Sequence, residues 1–91
     1  MQHATNKIEK FKEKLGKVIK TVREKSDSKS QNAFAMEYDI DRGNLSRLEN
    51  GKIGCNIMTA WRITEGAGIK FSEFAKMLED ELGEDFKLMD E

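Results

Sequence analysis

Residues 30–52 read SQNAFAMEYDIDRGNLSRLENGK, and the folding of this stretch decides how the rest of the chain is arranged. Ser30 is a good N-cap, because its hydroxyl accepts an amide that the first turn of a helix leaves without a partner. Phe34, Ala35 and Tyr38 then fall at helical spacing, and Ile40 closes the apolar set. Ala35 is small and leaves room for a second helix to cross. Asp39 stands where the chain must reverse, and Asp tolerates a left-handed backbone better than most residues other than Gly and Asn. Asp41 is a second N-cap. Leu45 and Leu48, three apart, form the inward stripe of the next helix, so Arg42, Gly43, Asn44, Ser46 and Arg47 are left largely outward. Asn50-Gly51 ends that helix, with Gly51 suited to a left-handed C-cap position.

Two short helices joined by a tight turn, the second with a polar face, together predict a helix-turn-helix. A helix with two apolar anchors and an outward face of Arg, Asn and Ser is suited to reading base edges in the major groove of DNA. Arg42 and Arg47 each have a guanidinium fork that matches guanine O6 and N7; ordinary surface exposure or phosphate contact is the plainer alternative. Of Asn44 and Ser46, one is expected to read a base edge and the other to touch phosphate or solvent. Gly43 has no side chain but lets the backbone come close to the groove wall. Gln31 opens the first of the two helices, where amides and helix dipole favour a phosphate. Lys29 and Lys52 are candidate phosphate partners, with a solvated surface as the alternative.

The segment resembles the helix-turn-helix of the Cro and phage-repressor family, the XRE type. The shared pattern is carried by Ser30, Gln31, Ala35 and Asp41, then by Leu45-Ser46-Arg47-Leu48-Glu49-Asn50-Gly51-Lys52. It continues without a gap through Asn56, Ile57, Ile63, Gly68, Ile69, Phe71 and Phe74, and LGKVIKTVREK (Leu15 to Lys25) is similar to the family's first helix. The resemblance covers about residues 15 to 80. It implies an all-α, five-helix, repressor-like DNA-binding domain in which helices 2 and 3 form the helix-turn-helix. It also implies that Asn50 grips the DNA backbone besides capping its helix, and that Glu49 pairs with an arginine of the first helix, where Arg23 is the only one. Departures are Asp39 in place of the usual turn Gly, Gly43 on the reading face, Cys55 where Pro is common, and a loop from Ser26 to Lys29 one residue longer.

Outward from this unit, Ile8, Phe11, Leu15, Val18 and Val22 step by three and four, with Ile19 alongside. That is the stripe of an amphipathic first helix running to about Lys25, extended beyond the family's usual start. Residues 1–6 are expected as a disordered end, 7–82 as the helix-turn-helix domain, and 83–91 as an acidic tail. Asn56 is expected to cap a fourth helix, Ile57 to Ala67, stopped by Gly68. Ser72 is expected to cap a fifth, with Phe71, Phe74, Ala75, Leu78 and Leu82 on one side. Ile8, Phe11, Met77, Phe86, Leu88 and Met89 are left over; they suit either a dimer contact or closure of the first helix against the tail.

Composition agrees. Ninety-one residues make one domain, and the absence of Pro and of strict alternation favours helices. The net charge of −1 hides an asymmetry: residues 1–52 hold twelve Lys and Arg against eight Asp and Glu, and residues 53–91 hold four against nine. A basic half that carries the helix-turn-helix is the polarity a small operator binder uses, although most lysines of the first helix read as solvated surface. No apolar run spans a membrane, no signal-peptide core opens the chain, and a lone Cys55 forms no internal disulfide, which points to the cytoplasm. Cys55 reads as a small apolar filler and Trp61 as core or dimer surface. With one histidine, His3, and no nucleophile–base or phosphate-loop constellation, neither metal, cofactor nor enzyme activity is expected.

The resulting expectation is a sequence-specific transcriptional regulator, a small repressor that binds double-stranded DNA as a homodimer on an inverted-repeat operator. The alternative from another class is an antitoxin-like interaction module of the same fold, which uses its acidic C-terminal half to hold a protein partner and binds DNA weakly or only with it.

Overall fold

The computed structural model describes residues 2–27 and 30–89, with side chains from Asn6 onward. Among these residues the chain forms five helices and no strand: α1 (Gln2–Glu24), α2 (Gln31–Glu37), α3 (Arg42–Glu49), α4 (Ile57–Ala67) and α5 (Phe71–Leu82). The fold is therefore the all-helical one expected.

Capping groups set three of the starts. Ser30 Oγ accepts from the Ala33 amide at 3.0 Å, Asp41 Oδ2 from Asn44 at 2.9 Å, and Asn56 Oδ1 from Thr59 at 2.8 Å. Two boundaries differ from expectation. The fifth helix begins at Phe71 and not behind Ser72, because Lys70 takes the cap position and its backbone N–H donates to Glu73 Oε1 at 2.9 Å. Phe71 is held there by its stacked contact with Trp61, the ring centroids 5.4 Å apart. The first helix starts at Gln2, so residues 2–6, expected as a frayed end, continue it; no Gly or Pro among them interrupts the helix. Gly51 and Gly68 take left-handed backbone, φ 71° and 74°, and end α3 and α4.

The core gathers Leu15, Val18, Ile19 and Val22 of α1 with Phe34, Ala35, Ile40, Leu45, Leu48, Ala60, Ile63 and Phe74. For α3 this burial is decisive. A helix of eight residues is not stable alone. Leu45 and Leu48, 0% and 2% exposed, anchor it, each contributing about 1.5–3 kcal/mol.

The tail returns onto the first helix. Phe86 packs on Phe11 with centroids 6.2 Å apart, Lys10 Nζ lies 5.6 Å from the Phe86 ring centroid, and Lys7 Nζ donates to the Met89 carbonyl at 3.3 Å. Of the two uses open to these apolar groups, closure within one chain is the one the structure contains for Phe11 and Phe86. Leu88 and Met89 stay exposed. Among the described residues no helix is long and apolar enough to cross a membrane.

Candidate nucleic-acid interface

The mount of α3 is a single carboxylate. Glu49, its side chain 2% exposed, receives Arg23 Nε at 2.5 Å on Oε2, and Arg23 Nη2 at 3.0 Å and Gln31 Nε2 at 2.8 Å on Oε1. One residue from each of α1, α2 and α3 thus meets at one point. The hydrogen bond to Glu49 raises the pKa of Arg23 above its already high value, outweighing the lowering by burial. Beside this junction the α1 backbone lies directly on the end of α3. A Cβ on buried Gly16 would overlap the Leu48 carbonyl oxygen and fall 2.7 Å from that of Glu49. Only glycine fits.

The turn between α2 and α3 is fixed from the other side. Asp39 has φ 57°, the one non-glycine residue with positive φ among those described, and its carbonyl accepts Arg62 Nη1 at 3.3 Å. One turn further along α4, Gly66 lies under the paired rings of Phe34 and Tyr38; a Cβ there would come within 2.6 Å of Tyr38 Cδ2. The two rings thereby rest directly on the α4 backbone at Gly66.

With its inward face so held, α3 presents Arg42, Gly43, Asn44, Ser46 and Arg47. Gln31, Arg42, Gly43, Ser46 and Arg47 line one cleft of about 350 Å³. Arg42, Asn44 and Arg47 are exposed, and Gly43 and Ser46 half-buried. Arg47 Nη2 donates to Asn44 Oδ1 at 2.7 Å, and Asn50 Nδ2 reaches Ser46 Oγ at 3.4 Å. Lys52 is exposed just past Gly51, next to the end of the helix. Lys29 lies outside the described residues. The Gln31 carboxamide turns inward, one Nε2 N–H donating to Glu49, and its backbone N–H at the start of α2 is the group placed for a phosphate.

Cys55 is half-buried against the core, its Sγ 3.3 Å from the Asn56 carbonyl, and burial pushes its thiol up to about 11. Such a thiol stays protonated and packs as a small apolar group. Among the described residues no group of three His, Cys, Asp or Glu side chains is placed to hold a metal ion.

Gly16, Arg62 and Gly66 were not singled out in the sequence. Gly16 carries a weak signal, a glycine on the inward side of a helix between Leu15 and Ile19, where close packing is the usual reason for it. Arg62 carries none, because its partner is a backbone carbonyl.

Five helices, with α3 turned outward on a buried mount, define a helix-turn-helix domain. The control protein C.MunI from Mycoplasma sp. is 34% identical to this chain over 71 residues, which cover 78% of the chain and 96% of that protein. The chain belongs to the family of that control protein. No family model and no solved structure gives a significant match.

Proposed function

We propose that this protein is a sequence-specific DNA-binding transcriptional regulator of the XRE type, a small repressor that lays α3 into the major groove of an inverted-repeat operator. The observation that carries this is the contrast between the two faces of α3. One face is anchored by Leu45, Leu48 and the Arg23–Glu49–Gln31 junction. The other turns Arg42, Asn44 and Arg47 to solvent with half-buried Ser46 between them, and none of these four side chains belongs to the core. Kinship with a control protein supports a regulatory role.

In this reading Arg42, Ser46 and Arg47 face base edges with Asn44 beside them. Asn50, Lys52, Lys29 and the backbone N–H of Gln31 meet phosphates. One such helix reads only a few base pairs, so two copies act on half-sites about 34 Å apart. Ile57, Met58 and Trp61, 65%, 68% and 51% exposed along one side of α4, supply the apolar surface for the second copy.

The test is selection of duplexes from a random-sequence pool, repeated with the Arg42→Ala, Arg47→Ala double variant. An inverted repeat enriched by the wild type and lost in the variant is expected. Binding that enriches nothing and vanishes with modest salt would reduce the interaction to phosphate electrostatics.

A further inference from the structure

Arg47 does not hang free on the outward face of α3. Its Nη2 donates to Asn44 Oδ1 at 2.7 Å, and its guanidinium lies back over Gly43, where a Cβ would fall 3.3 Å from Nη2 and 3.5 Å from Nη1. The side chain leans toward the helix N-terminus, the direction helical side chains prefer, and so reaches the residue one turn before it. The backbone of Asn44 is itself fixed, because its N–H donates to the Asp41 cap at 2.9 Å. Cap, brace and fork form one connected set, and the missing side chain at Gly43 is the space the fork occupies.

The geometry points to Asn44 as a positioning residue: it and Gly43 hold the Arg47 guanidinium ready for a guanine edge, and Asn44 does not itself read a base. This rests on the DNA-reading function proposed above and sharpens its specificity. An asparagine that reads adenine aligns Oδ1 and Nδ2 together on the base edge, and here Oδ1 is turned toward Arg47 instead. Guanine offers O6 and N7 as paired acceptors, which the remaining N–H donors of a guanidinium match. The Asp41 carboxylate, whose Oδ2 lies 3.3 Å from the same point above Gly43, repels a phosphate there and favours a base edge. An arginine fork that is already oriented also loses less rotamer freedom on docking than a loose one.

The experiment measures base preference at every position of the selected duplex for the full chain and for Arg47→Ala, Asn44→Ala and Gly43→Ala, each first shown to fold by thermal melting. Wild type is expected to prefer guanine at one half-site position, and Arg47→Ala to lower that preference about 5- to 150-fold. Asn44→Ala should weaken the same preference about five-fold, the size of one lost hydrogen bond, and add nothing in the Arg47→Ala background. Gly43→Ala should raise the melting temperature, since Ala is the better helix residue, yet weaken that same preference. If Asn44→Ala instead removes a preference for adenine at another position, or leaves the guanine preference intact, the brace is overturned and DNA reading stands. If wild type enriches no sequence, the DNA-reading function falls and the brace with it.

Discussion

Arg23 of α1 and Glu49 of α3 form an ion pair across 26 residues of sequence, with side chains 7% and 2% exposed. A buried pair of this kind adds little net stability, since desolvation offsets most of the attraction. What it fixes is geometry, because Glu49 closes the helix that carries Arg42 and Arg47. Removing one partner leaves the other charge buried, so Glu49→Ala is expected to cost about 3–5 kcal/mol in urea unfolding. Replacing both, as Arg23→Met with Glu49→Leu, should restore most of that stability while DNA affinity stays reduced. Full affinity in the double variant would show that the pair does not orient α3.

Gly16 gives the second prediction. A methyl at this position meets carbonyl oxygens of Leu48 and Glu49, which are backbone and do not yield as a side chain tip would. Gly16→Ala should therefore destabilise by about 1–3 kcal/mol, although Ala is the better helix former. A rise in melting temperature would contradict the close approach of α1 and α3.

Asp39 holds a left-handed conformation at φ 57° that glycine adopts freely. Asp39→Gly should stabilise by up to about 1 kcal/mol, and Arg62→Ala, which removes the donor to the Asp39 carbonyl, should destabilise by about 1 kcal/mol. Thermal melts of the two variants check both signs.

Cys55 predicts a pH dependence. Its folded thiol is raised to about 11 by burial, above the ordinary value of 9.0. The stability linked to this group is fully present below about pH 9 and is lost as pH rises toward about 11, as the unfolded chain releases its proton first. Alkylation by iodoacetamide should be slow at pH 8 and rise with a midpoint near 11, moving to the ordinary thiol range in denaturant.

Trp61 and Met58 carry the dimer proposal. Met58→Asp, which spares the Trp61–Phe71 stack, should shift sedimentation toward a monomer and lower operator affinity while leaving far-ultraviolet dichroism unchanged. A wild type that sediments as a monomer at the concentrations used for DNA binding would remove the symmetric operator.

Much of this architecture was legible because it is local. Ser30, Asp41 and Asn56 are capping side chains that act within three residues, and Leu45 and Leu48 declare the inward face of α3 by spacing alone. The start of α5 was not legible at Ser72, since the stacking of Phe71 on Trp61 and the reach of Glu73 to Lys70 set it from outside the local pattern. Gln31 was read as a phosphate contact from its place at a helix start; its carboxamide instead answers to Glu49, which only the folded arrangement brings near. The return of Phe86 to Phe11 links the two ends of the chain, and apolar residues at both ends are equally compatible with a second copy.

The central claim is that α3 reads sequence. The measurement that tests it most directly is the ratio of affinities for a selected operator and a scrambled duplex of equal length, taken at two salt concentrations. A ratio of about 10³ or more that persists as salt rises, while both affinities fall, is the expected result. A ratio near one at both salts would contradict it.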